Sequence, residues 1–167
     1  MVHSRPVRVH FLVDGYNYLH RARLFGDVSL EQARHRLATR LRALRGKGDE
    51  VTIVWDARRA PSGLPRGAAD RGVEHEFAHR DRGSADEAIL RRLRAAADAR
   101  GYCVVSDDGE VVRSARQLGA AVRSIADVES RVRGRIPSAP DDDEKPPPPR
   151  GSEVDDWLRI FGEDPRP

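Results

Sequence analysis

Two hydrophobic periods alternate along this chain. The first is a continuous apolar run: Val9 to Asn17 reads VHFLVDGYN and stops abruptly in a carboxylate, a glycine and an asparagine. A run this short, with no 3.6-residue period and an Asp-Gly turn signal at its end, predicts a buried strand with Asp14 at its tip. The residues that follow, as far as Gly26, read as a loop. Ser29 with Gln32 is then a capping-box pattern, opening a helix to about Arg45 whose buried stripe is Leu30, Ala33, Leu37, Leu41 and Leu44. Gly46 to Asp49 breaks that helix, and Val51 to Trp55 is a second apolar run, ending at Asp56.

The same grammar continues. Ala57 to Gly72 is a loop rich in Gly, Pro and Arg, and Val73 to Ala78 alternates Val, His and Phe with Glu, Glu and Ala, which suits an edge strand. Ser84 with Glu87 is a second capping box, opening a helix to about Arg100 with Ile89, Leu93, Ala96 and Ala97 inward. Tyr102 to Ser106 is a fourth strand, ending at Asp107; Asp108 and Gly109 lead into a helix to Leu118 with Val111, Val112, Ala115 and Leu118 as its apolar face. Ala120 to Ile125 is a short fifth strand and Ala126 to Arg133 a last short helix. Strands alternating with crossover helices predict a parallel sheet of the α/β class.

At Pro137 the pattern stops. Residues 137–152 turn to acids and a four-proline run, which predicts an extended, disordered linker after a domain spanning residues 1–136. Ser152 then caps a candidate short helix over residues 153–163, where Val154, Trp157, Leu158 and Phe161 fall at i, i+3, i+4 and i+7. Such a face is expected to dock into a groove, on this domain or on a partner.

Composition narrows the class. No apolar stretch approaches the roughly 20 residues of a membrane span, and Met1 to Pro6 lacks the apolar core of a signal peptide, so a cytoplasmic protein with no membrane partner is expected. The lone Cys103 lies inside an apolar run and reads as a small buried side chain. The net charge of +3 hides an asymmetry: residues 137–167 hold nine acids and four bases, leaving 26 bases against 18 acids in residues 1–136. Only Lys47 and Lys145 are lysines; the rest are arginines, whose planar fork suits bidentate phosphate contacts, although a GC-rich genome enriches arginine whatever the function.

Right-handed crossovers place every strand-to-helix connection at the carboxyl edge of the sheet, where ligands of such folds bind. That edge is crowded with acids: Asp14, Asp56 and Asp107 end strands, Asp108 is beside Asp107, and Asp86 lies in the first turn of the helix after strand 3. Strands are about 4.8 Å apart, so these acids can share one ion, and their mutual repulsion favours one. With oxygen-only donors the ion is expected to be Mg²⁺ or Mn²⁺. Asp14, Asp56 and Asp107, each taken singly, are equally well read as an N-cap or turn former, a role Asp86 does not have. Glu87 has the capping-box role, Asp108 is a secondary ligand candidate, and Asn17 is either a turn residue or a hydrogen-bonding support for Asp14. His20, His75 and His79 read as surface or edge residues. Around the acids, Arg21 and Arg23 follow strand 1, Arg58, Arg59, Arg66 and Arg71 occupy the loop after strand 2, and Arg80 and Arg82 follow strand 3. Positive loops around a metal-filled acidic centre suit a polyanion, the rim binding backbone phosphates while the ion engages the scissile one.

At these residues the sequence resembles the NYN domain in its YacP-like branch, a relative of the PIN-domain ribonucleases. The resemblance rests on VDGYN at 13–17, WDA at 55–57, SADEAI at 84–89 and VVSDDGE at 104–110, in family order, and covers roughly residues 7–133. It implies a three-layer α/β/α PIN-like fold with strand order 3-2-1-4-5. It also implies a metal-dependent endoribonuclease whose acidic site maps onto Asp14, Asp86 and Asp107, with Asn17 and Asp56 nearby. Water activated by the metal would attack the phosphodiester in line, leaving 5′-phosphate and 3′-hydroxyl ends. Trp55 stands where Phe is expected, Ser84 where Thr is, and Glu87 where a second Asp is usual.

Other classes fit less well. A haloacid-dehalogenase-type phosphatase needs a second Asp at the position of Tyr16 and a later lysine, and neither Lys47 nor Lys145 is placed to serve. A nucleotide-binding domain needs a glycine-rich phosphate loop, which GYN is not. The alternative of substance is a non-catalytic RNA-binding or ribosome-associated module that keeps the fold and the basic rim.

Overall fold

A computed structural model gives the fold and describes residues 8–56, 69–70, 72–78 and 83–135. In chain order the elements are β1 (His10–Asp14), α1 (Gly15–Arg21), α2 (Leu30–Leu41), β2 (Glu50–Trp55), β3 (Ala69–Asp70), β4 (Val73–Phe77), α3 (Ala85–Ala95), β5 (Tyr102–Val105), α4 (Gly109–Gln117), β6 (Ala121–Arg123) and α5 (Ile125–Arg135). They form one sheet in the order β3-β4-β2-β1-β5-β6. All pairs are parallel except the two-residue β3, which lies antiparallel on β4. The five parallel strands thus have the expected 3-2-1-4-5 order. Register brings the strand tips level: Asp14 lies opposite Val54, Val13 opposite Val105, and Trp55 opposite Phe77.

Both faces of the sheet are covered, which is why its strands read as continuous apolar runs. Phe11, Val13, Val51, Ile53, Trp55, Cys103 and Val105 pack with α1, α2 and α5 on one face. Leu12, Val54 and Val104 meet α3 and α4 on the other, through Ala88, Ile89, Leu93, Val111 and Ala115. The result is a three-layer α/β/α stack. Cys103 is buried in it, and burial pushes its thiol pKa up, as suits a packing residue. Among the described residues no helix is long and apolar enough to cross a membrane.

Several expectations change. The stretch after Asp14 is not a loop but helix α1, too short to show a period in the sequence. Asp14 caps it by accepting the Asn17 N–H at 3.3 Å, and its Tyr18 and Leu19 are fully buried. The loop before Val73 ends in β3, and a turn with Gly72 at φ +86° joins β3 to β4, so β4 is not a bare edge. Helix α3 stops at Ala95 and leaves Ala97 exposed, because Asp98 caps a following 3₁₀ turn. Ser29 and Gln32 form a complete capping box. Ser84 makes only the forward half, accepting the Glu87 N–H, while the Glu87 carboxylate folds back over Gly83 at φ +106°. His75 is no surface residue: it is 9% exposed, stacks on Trp55, and accepts the indole N–H at 2.9 Å. His79 and the candidate helix of residues 153–163 lie outside the described residues.

Candidate functional site

The site is built from the tips of β1 and β5 and the first turns of α3 and α4. Alternation along β1 puts the Asp14 side chain on the same face as Leu12, toward α3, and the carboxyl is only 6% exposed. Asp86, one residue into α3, brings a second carboxyl to the same place, where the two groups act on each other electrostatically. Burial first and the Asp86 charge second push the Asp14 pKa up to about 7, against the Asn17 N–H, which favours the anion. Asp86 is pushed up as well, by burial and then by Asp108, with Glu110 and Asp56 adding to it. These two acids are costly to ionise together.

Asp107 and Asp108 have different surroundings. Asp108 caps α4, its Oδ1 accepting the N–H groups of Glu110 at 2.9 Å and Val111 at 3.2 Å, and its charge acts on both Asp14 and Asp86. The Asp107 carboxylate faces elsewhere: Oδ1 accepts the N–H of Ile125, the first residue of α5, at 3.0 Å, and Oδ2 lies 3.9 Å from Arg21 Nε. Asn17 joins the two strand tips, giving its backbone N–H to Asp14 while its Oδ1 accepts the Asp107 N–H at 3.0 Å. The structure therefore brings together Asp14 and Asp86 with Asp108, Asp56 and Glu110 in electrostatic range, and turns the Asp107 side chain toward α1 and α5. Arg21, the last residue of α1, and Arg23, just after it with φ at 53°, are exposed. Arg58, Arg59, Arg66, Arg71, Arg80 and Arg82 lie outside the described residues.

Whether this suits a metal can be judged from the donors. Among the described residues no three His, Cys, Asp or Glu side chains converge as a ready-made metal centre. Asp14 and Asp86 do supply oxygen donors of the kind a hard ion takes, and the repulsion between them is what such an ion would relieve.

Sequence reasoning missed the packing behind the site. Gly15 lies against the indole of Trp55, so any side chain there would run into the ring. The Tyr18 hydroxyl donates to the buried Glu129 carboxylate at 2.6 Å, and Arg40 Nε reaches the same oxygen at 3.0 Å, tying α1 to α2 and α5. That pair spans 111 residues, and no local signal could have linked them. Arg34, 4% exposed, lies among Tyr16, Trp55 and Phe77.

Comparison with known proteins gives one family. The model of the YacP-like NYN domain matches residues 11–152. Two solved structures of Rae1 (YacP) from Bacillus subtilis are similar. A tryptophan-to-leucine mutant has 23% identity over 75% of this chain and 76% of that one, with a TM-score of 0.61. Another crystal structure of Rae1 has 20% identity over 90% and 80%, with a TM-score of 0.58. At these identities the likeness is one of fold. No curated protein matches the chain.

Proposed function

The chain belongs to the YacP-like NYN family, whose fold is nuclease-like, and from that premise we propose that it is a metal-dependent endoribonuclease acting on cellular RNA in the cytoplasm. The observation that carries the proposal is the meeting of two carboxyls at the carboxyl edge of the sheet, Asp14 buried at the tip of β1 and Asp86 in the first turn of α3, with Asp108 adding its charge.

In this reading Asp14 and Asp86 would hold Mg²⁺ or Mn²⁺, whose charge would relieve the repulsion between them. Bound there, such an ion supplies Lewis-acid polarisation of a phosphoryl oxygen and makes water more acidic. The chain's own groups do the rest. Asp108 and Asp56 deepen the negative potential that retains the cation, and Asp107 is a further ligand or water-bridged acid once Arg21 turns to the substrate. Asn17 keeps the tips of β1 and β5 in register. Arg21 and Arg23, with Arg58, Arg59, Arg66, Arg71, Arg80 and Arg82, bind backbone phosphates and orient the strand for in-line displacement, leaving 5′-phosphate and 3′-hydroxyl ends. Residues 153–163 are the proposed contact for a ribosome or RNA-processing partner.

The test is cleavage of a long single-stranded RNA by wild type and variants, with Mg²⁺, Mn²⁺ or EDTA, and mapping of internal cuts. Asp14→Asn and Asp86→Asn are expected to fold, bind RNA and lose cleavage by more than the roughly 10- to 100-fold expected for Asn17→Ala. Asp107→Asn keeps an acceptor for the Ile125 N–H; a loss as large as that of Asp14→Asn makes it a ligand, and unchanged cleavage makes it only a cap. Cutting that persists in EDTA, or in Asp14→Asn at the wild-type rate, refutes the proposal. RNA binding without cutting, on free RNA and on translating ribosomes alike, favours the non-catalytic RNA-binding module instead.

A further inference from the structure

Aromatic side chains are scarce here, nine in 167 residues, yet three of them meet at the carboxyl edge of the sheet. Tyr16 is the second residue of α1, Trp55 closes β2, and Phe77, its register partner, closes β4. They lie on the face packed by α1 and α2, whereas the Asp14 carboxyl points to the opposite face. Trp55 is fully buried core, locked by His75, whose ring stacks on it 6.0 Å away. Tyr16 stands edge-on to that indole at 5.1 Å and 67°. The Arg34 guanidinium lies 5.6, 5.3 and 5.5 Å from the ring centroids of Tyr16, Trp55 and Phe77, and it donates to the Tyr16 hydroxyl. Tyr16 and Phe77 themselves are only partly buried.

A ring tied through its hydroxyl to Arg34 and packed edge-on against an indole has less rotamer freedom to lose when a ligand arrives, so less entropy opposes stacking on it. Tyr16 is also only two residues from Asp14. An RNA strand crossing the edge at this point meets the carboxylates with a phosphate and the aromatic side with the neighbouring base. We infer that Tyr16, with Phe77 beside it, is a base-stacking platform for the nucleotide next to the phosphate at the Asp14–Asp86 site, and that Arg34 is the positioning residue that holds the Tyr16 ring. The inference rests on the ribonuclease reading and adds to it where a base is recognised. Pure core packing of α2 on the sheet is the competing account, and it requires no effect on RNA.

The test uses the full chain carrying Asp14→Asn, so that RNA stays intact, and single-stranded RNAs of about 12 nucleotides with 2-aminopurine or an abasic unit moved along them. Binding is expected to quench 2-aminopurine at one position. Adding Tyr16→Leu, which keeps volume but has no π face, removes that quench and weakens binding roughly 5- to 150-fold; Tyr16→Trp keeps both. An abasic unit at the quenched position weakens binding to the Tyr16 protein by a similar factor, a check that needs no second substitution to fold. Arg34→Met is expected to lessen the quench without changing the salt slope, whereas loss of a phosphate contact would reduce that slope by about 0.7. RNA binding with no position-specific quench, or a folded Tyr16→Leu protein that binds as tightly as Tyr16 does, overturns the platform and leaves the ribonuclease reading standing. Failure to bind any RNA, together with wild type that does not cut, overturns both.

Discussion

Asp14 does two jobs that conflict electrostatically. As the N-cap of α1 it is favoured as an anion by the Asn17 N–H, yet burial and Asp86 push its pKa up to about 7. A carboxyl with a folded pKa above its unfolded value near 3.8 lends stability that is complete below about pH 4 and is lost as pH rises through about 7. Metal-free wild type should therefore lose stability between pH 4 and 8, while Asp14→Asn, with no charge to bury, stays flatter and is more stable at pH 8 by on the order of 2 to 4 kcal/mol. Urea melts in EDTA across that range check it; a variant less stable than wild type at pH 8 would contradict the repulsion inferred from burial and Asp86. Residue identity alone suggested an acid here, and the competing reading as an N-cap is true at the same time.

Helix α1 is the element on which the site depends. It has seven residues, too few to be stable by its own hydrogen bonds, so it relies on packing. Leu19 and Tyr18 are fully buried, and the Tyr18 hydroxyl is tied to Glu129 of α5, which also holds Arg40 of α2. The tyrosine pKa is driven up by burial and by that carboxylate, so the hydroxyl stays a donor. Glu129→Leu leaves a buried hydroxyl without its acceptor and Arg40 without its anion, and should cost about 2 to 3 kcal/mol; Tyr18→Phe should cost about 1 kcal/mol. Chemical denaturation of both variants and of the double variant checks this, and additive effects would mean the two groups do not work as one network. The helical pattern of α2 was legible from its capping box and stripe. That of α1 was not, because two turns show no period and its partners lie up to 111 residues away.

At the scale of the molecule, the sheet gathers Asp14 and Asp86 at one edge, with the charges of Asp108, Glu110 and Asp56 acting on them. A divalent ion that binds only the folded arrangement should raise stability by about 2.7 kcal/mol at 100 times its dissociation constant. Thermal melts in EDTA and in millimolar Mg²⁺ or Mn²⁺ should separate for wild type and coincide for Asp14→Asn; coincident wild-type curves would remove the metal from the proposal. What the chain determined by itself was the succession of its five parallel strands and of four of its five α-helices, the parallel sheet and the edge to which its acids belong, because these follow from local period, turn residues and the handedness of crossovers. Which acid faces which was decided only in three dimensions. Asp107 and Asp108 are neighbours in sequence, yet one side chain turns to the N–H of Ile125 and the other acts on Asp14 and Asp86. A side chain's direction is settled by whichever unsatisfied donors or charges the fold happens to bring beside it, and those come from elements far away in the chain.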